Sequence, residues 1–180
     1  MLSISYLSMI VLISVIWCLI RTVIAIINKR IEWRREAQLL LVYVCIVVVV
    51  RFTFFPFSRV NGAIQPLVFD SARILPFRTN LIPLVNLFDY PTAKEAALNV
   101  IGNTLMFVPL GIVCPSVFKE LDSYKKVLLA GFGTSLIIEI LQLPFYSRVS
   151  DVDDLILNSL GFVMGYLIYI LVCRIKKKAK

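Results

Sequence analysis

Residues 39–57 read LLLVYVCIVVVVRFTFFPF and carry one charge, Arg51. In water a run of Val and Ile argues for a buried strand, but this one has nearly the ~20 residues that cross a ~30 Å hydrocarbon core as a helix. A lone strand could not satisfy its own backbone in hydrocarbon, whereas a helix closes its hydrogen bonds within itself. Composition decides which solvent applies. Of 180 residues, 59% are hydrophobic and 17% charged, with a mean hydropathy of +0.89, which is too apolar for an ordinary soluble domain. The chain reads as an all-α integral membrane protein.

The pattern continues outward in both directions. Residues 1–27 are apolar except for Arg21, and without a basic start or a small-residue cleavage site they read as a retained first span. Residues 97–118, 127–143 and 155–173 supply three more, the first of these kinked at Pro109 and the second stopped by Pro144. A bundle of about five transmembrane helices is expected. Residues 58–96 interrupt it, with Pro56, Pro66, Pro76, Pro83 and Pro91 in or beside them. The prolines exclude a continuous span, yet ILPFRTNLIPLVNLF at 74–88 is too apolar for a free loop. A long Pro-rich, partly interfacial extracytoplasmic segment is the expectation. Two units follow, an N-terminal helix pair over 1–57 and a second unit over 58–180 holding this segment and three spans.

Lys and Arg set the orientation. The connectors at 28–38 and 119–126 and the tail after Cys173 hold twelve, against five in 58–96 and 144–154. The amino terminus is expected outside and the carboxyl terminus in the cytoplasm. The net charge of +8 then reflects topology and attraction to anionic lipid, with no nucleic-acid partner implied. Histidine is absent, which removes imidazole chemistry. Cys18, Cys45, Cys114 and Cys173 show no paired spacing and read as small buried side chains rather than disulfides or metal ligands.

Charges inside hydrocarbon need a reason, since Asp, Lys or Arg at a helix centre costs roughly 2.5–3.5 kcal/mol. With this topology Asn99 and Asn103, Glu139 and Gln142, and Asp151, Asp154 and Asn158 fall toward the outer ends of three spans, with Arg148 in the loop between the last two. Spacings of three and four put each helical pair on one face. A shared polar pocket in the outer leaflet is the expectation. Gly161 and Gly165 form a G-x-x-x-G, and Gly131 and Gly133 lie in the preceding span; such small residues let helices approach closely. Blander roles compete. Amides also serve as interhelical glue, and acidic residues at a helix start can simply cap it. Arg21 is expected to snorkel to the headgroups, Asp153 to face water, and Phe52, Phe54, Phe55 and Phe57 to form an interfacial belt.

NLIPL at 80–84, NVIGNTLMFVPLG at 99–111, IEILQ at 138–142 and RVSDVDDLILNSLG at 148–161 resemble the successive motifs of the VanZ-like family of small bacterial membrane proteins. The resemblance covers roughly residues 78–170, and its matching positions include Asn80, Pro83, Asn99, Asn103, Phe107, Pro109, Gly111, Glu139, Gln142, Arg148, Asp151, Asp154, Asn158 and Gly161. Leu84 stands where the family has an aromatic, and Phe162 where it has a second glycine. The resemblance implies a multi-pass protein of the bacterial plasma membrane associated with low-level resistance to glycopeptide antibiotics, chiefly teicoplanin. Three functions stay open. The polar site could bind or alter a lipid-linked wall precursor, an envelope lipid or the drug. It could instead be an enzyme site with Glu139 and Asp154 as its acid–base groups. Or the chain could be a small transporter or partner-binding subunit. No cofactor is expected, although Asp151 and Asp154 are oxygen donors that could hold Arg148 or a hard divalent cation.

Overall fold

The computed structural model describes residues 2–55, 59–73, 79–83 and 90–179. Pro56, Phe57, Pro76 and Leu84 lie outside these. Five helices dominate: α1 (Tyr6–Asn28), α2 (Trp33–Phe54), α3 (Ala93–Val117), α4 (Tyr124–Gln142) and α5 (Val152–Lys178). Two-residue and three-residue strands decorate one end. β1 (Leu2–Ile4) pairs antiparallel with β4 (Leu67–Phe69), β2 (Arg59–Val60) with β3 (Ala63–Ile64), and β5 (Thr79–Asn80) runs parallel to β6 (Ser150–Asp151).

The bundle buries polar side chains beside its hydrophobic core and exposes apolar ones. Ser135, Glu139, Gln142, Asn158 and Ser159 are buried, while Leu128, Leu136, Ile140, Leu160, Leu167 and many others are exposed. In water that arrangement would be unfavourable at every exposed leucine; in hydrocarbon it costs nothing. The fold is that of an all-α, multi-pass membrane protein. Four helices, α1, α2, α3 and α5, are long and apolar enough to cross a bilayer. The helix expected as a fourth span, α4, falls short on that measure because its 19 residues include Lys125, Lys126 and Glu139. Its buried residues Val127, Gly131, Ser135, Ile138, Glu139 and Gln142 recur at three and four, the period of a single helix face.

Glycine makes the α3–α5 crossing close. A Cβ on Gly161 would sit 2.0 Å from the Thr104 carbonyl oxygen, and one on Gly165 would sit 2.2 Å from that of Val108. Gly111 faces them from α3, where a Cβ would meet the Phe162 carbonyl oxygen at 2.0 Å. Phe162 is accommodated by Gly131 of α4, where a Cβ would lie 2.8 Å from the Phe162 Cβ. Gly133 faces open space. Pro109 and Pro115 both lie inside α3.

Several details differ from the sequence expectation. The first helix begins at Tyr6, not at the terminus, because Ser5 caps it by accepting from the Ser8 amide, and Leu2–Ile4 form a strand instead. The second begins six residues early, at Trp33. This brings Glu36 to Arg21, whose Nε donates to Glu36 Oε2 at 2.9 Å. The pairing matters because α1 buries none of its own residues; Ser14 and Tyr43, hydroxyls 2.6 Å apart, add a second tie to α2. Phe54 and Phe55 are core, not belt: Phe55 packs edge-on to Tyr6 and Phe54 to Phe145. Phe52 remains exposed. Cys114 is buried but Cys18 is exposed on α1. The described part of 58–96 is folded back on the bundle end: Asp70 donates its amide to the Pro144 carbonyl at 2.9 Å, and Tyr146 donates to that of Val68 at 2.9 Å.

Candidate functional site

Three helices and one loop deliver polar side chains to a single end of the bundle, and the local reasons are legible. Helix α3 starts at an N-cap, with Thr92 Oγ1 accepting from the Glu95 amide at 3.2 Å, which sets Asn99 and Asn103 one and two turns further in. Helix α5 starts at Asp151, whose carboxylate accepts from the Asp153 amide at 2.9 Å; Asp153 and Asp154 in its first turn and Lys176, Lys177 and Lys178 in its last suit the helix dipole.

These residues enclose a cavity of about 200 Å³ lined by Phe52, Thr53, Phe55, Asn99, Asn103, Glu139, Gln142, Arg148, Asp154 and Asn158. Seven side chains singled out from sequence therefore share one space. Asp151 and Asn80 stand just outside it. The Asp151 amide donates to Glu139 Oε2 at 3.0 Å, and Asn80 Nδ2 donates to Asp151 Oδ1 at 3.2 Å, so both hold the wall in place. Asp151 also lines a second cavity of about 450 Å³ with Asn99, Asp153, Asp154, Tyr90 and Pro83. Asp153 lines this second cavity and not the smaller one.

Not every polar side chain here is free for a ligand. The last carbonyls of any α-helix lack intrahelical donors, and at the end of α2 three residues supply them. Gln142 Nε2 donates to the Thr53 carbonyl, Arg148 Nε to that of Phe54 at 3.0 Å, and an Arg51 terminal nitrogen to that of Phe55 at 3.3 Å. Gln142 is thus a structural cap first. Arg148 is both, because its two terminal nitrogens meet no acceptor among the described residues yet remain accessible. Arg148 lines the cavity with Glu139 and Asp154, and no ion pair joins it to either. Burial pulls its pKa down, opposed by the charges of Asp154 and Glu139; guanidinium stays protonated regardless. At the second cavity, burial, then Asp154, Asp151 and Asp153, push the Tyr90 phenol up.

Glu139 and Asp154 are each held by a neighbour. Asn103 Nδ2 donates to Asp154 Oδ1, and the Asp151 amide holds Glu139. Asn158, 1% exposed, donates from Nδ2 to Ser135 Oγ at 2.9 Å while its Oδ1 has no partner. Exchanging the two amide atoms would only move the deficit to the nitrogen. Asn99 makes no hydrogen bond among the described residues. Among those residues no group of three His, Cys, Asp or Glu is placed to hold a metal ion.

Comparison with known families decides the kinship. The family model described as VanZ/LLP1 matches residues 40–173. The chain belongs to the VanZ-like family. No curated protein and no solved structure matches it. The VanZ-like match takes in most of α2, whose terminal carbonyls Gln142 and Arg148 hold, together with every lining residue of the small cavity. Sequence reasoning missed Ser135, although its four-residue spacing from Glu139 on α4 was available. It also missed Thr53 and Phe54, which contribute backbone oxygens and so carry no side-chain signal.

Proposed function

We propose that this VanZ-like protein lowers sensitivity to teicoplanin-type glycopeptides through its polar cavity, placed in the outer leaflet of a bacterial plasma membrane, where it binds or alters a lipid-linked wall precursor, an envelope lipid or the drug itself. The observation that carries this reading is the guanidinium of Arg148, its terminal nitrogens accessible, opposite Glu139 and Asp154 in a cavity between α2, α3, α4 and α5. Such a set offers an anion contact beside acceptors for hydroxyl or amide donors. The outer placement rests on the twelve-to-five imbalance of basic residues. The family's association with glycopeptide resistance supplies the phenotype. The test is expression in a glycopeptide-sensitive host of the wild type, Glu139→Gln and Asp154→Asn. Both variants keep an acceptor oxygen for the existing bonds, so the fold is expected to survive. Protection by the wild type and its loss in the variants supports the reading; equal susceptibility in all strains, with the protein present in the membrane, overturns it.

One feature favours a second reading, catalysis on a lipid or wall intermediate: a buried carboxylate, Glu139, and a part-buried one, Asp154, come from separate helices and share one cavity with a cation. Mass spectrometry of envelope lipids and muropeptides, with and without the protein, tests it, and unaltered species reject it.

A further inference from the structure

Helices α2 and α3 leave between them a groove of about 620 Å³, walled by Val48, Leu98, Ile101, Gly102, Leu105 and Met106 among others. Leu98, Ile101 and Leu105 are exposed along it, so in a bilayer this groove opens to acyl chains. It does not end blindly. Phe52, Asn99 and Asn103 line both the groove and the polar cavity, and Asn99 is without a hydrogen bond among the described residues. The two spaces therefore adjoin, one apolar and one holding an accessible guanidinium, with an unused amide at their joint.

We propose that they form one binding site for an anionic membrane lipid, whose chain lies in the α2–α3 groove and whose phosphate-linked, hydroxyl-bearing head reaches past Asn99 to Arg148. This rests on the cavity being the working site, as argued above, and names what occupies it. A phosphate meets the terminal nitrogens of Arg148 in the forked geometry that guanidinium favours. Hydroxyls on the head meet acceptors already present on the cavity wall: carboxylate oxygens of Glu139 and Asp154, and the Asn99 amide. A head lacking phosphate leaves Arg148 unmatched, and one lacking hydroxyls leaves those acceptors unmatched. Gly102 is the point where chain entry can be stopped, since a Cβ there meets nothing within 4 Å. A larger side chain is expected to extend from that open position into the groove.

The experiment is native mass spectrometry of the full chain in detergent, titrated with phosphatidylglycerol, phosphatidylmethanol and diacylglycerol carrying the same chains. Phosphatidylglycerol is expected to be retained over diacylglycerol by about tenfold or more, the scale of a charge-assisted hydrogen bond, with phosphatidylmethanol between them. Gly102→Phe is expected to lose all three lipids with its melting temperature kept. Asn99→Leu is expected to reduce the preference for phosphatidylglycerol over phosphatidylmethanol. Equal retention of phosphatidylglycerol and diacylglycerol, or unchanged retention in Gly102→Phe, overturns the proposal. Should Gly102→Phe fail to fold, the lipid ranking in the wild type still decides it. Lipid retention is read without drug, so it can fail while the susceptibility test succeeds, and the reverse.

Discussion

Gly161→Ala and Gly133→Ala add the same methyl group to two helices, and the fold predicts opposite outcomes. At Gly161 the new Cβ would lie 2.0 Å from the Thr104 carbonyl oxygen and 2.9 Å from its carbon. An ordinary carbon–oxygen approach is about 3.3 Å or more, so α5 must move off α3 by roughly 1 Å. That movement also loosens the neighbouring contacts of Gly165 with Val108 and of Gly111 with Phe162. Overpacking of this kind costs about 1–3 kcal/mol. At Gly133 nothing lies within 4 Å, so only the helix preference for Ala over Gly operates, a gain of about 1 kcal/mol. That gain is common to both variants. The difference between them is therefore the overpacking cost alone, which for a chain of this size corresponds to about 2–12 °C in melting temperature. Thermal unfolding of both variants in one detergent, followed by circular dichroism or by loss of the monodisperse peak, measures it. If Gly161→Ala melts at or above Gly133→Ala, the close α3–α5 crossing described here is wrong.

Other outcomes follow from the polar interior and the helix ends. Ser135→Ala leaves both ends of the Asn158 amide without a protein partner and should destabilise by about 1–3 kcal/mol; Asn158→Leu added to it should recover much of that loss in a double-mutant cycle, and additive losses would refute the pairing. Arg148→Met removes the donor to the Phe54 carbonyl and should lower stability by about 1.5–3 kcal/mol, whereas a melting temperature equal to wild type would show that the end of α2 is capped otherwise. Glu36→Gln, at the partly exposed tie between α1 and α2, should cost less than about 1 kcal/mol and should matter less as salt rises; a larger, salt-insensitive loss would contradict an ion-pair role. For orientation, in a cysteine-free background Gln65→Cys should react with an impermeant maleimide on intact cells and Lys119→Cys only after lysis, and the reverse pattern would invert the topology.

Much of the site could be read from the chain because helical periodicity is local. The spacings Asn99–Asn103, Glu139–Gln142 and Asp154–Asn158 put polar groups on single faces, and alternation of the spans carries those faces to one end. The structure places all six of these residues on one cavity. Other features were hidden for equally physical reasons. Whether Arg148 serves a ligand or a helix end depends on where the last carbonyls of α2 lie, and backbone oxygens look alike in every sequence. Aromatic residues mark an interface only if nothing covers them, and at Phe54 and Phe55 the returning residues Tyr6 and Phe145 do.

The amino-acid order alone determined that this protein lives in hydrocarbon as a set of helices, because burial of apolar length and internal backbone bonding leave a chain so poor in charge no other stable form. It also determined which face of each helix is polar, since 3.6 residues per turn needs no partner to act. Only the tertiary structure decided which helices touch, and with that which polar groups are consumed as caps and which stay accessible. It alone placed the α2–α3 groove against the cavity, for a space between helices belongs to neither sequence segment and exists only once both are packed.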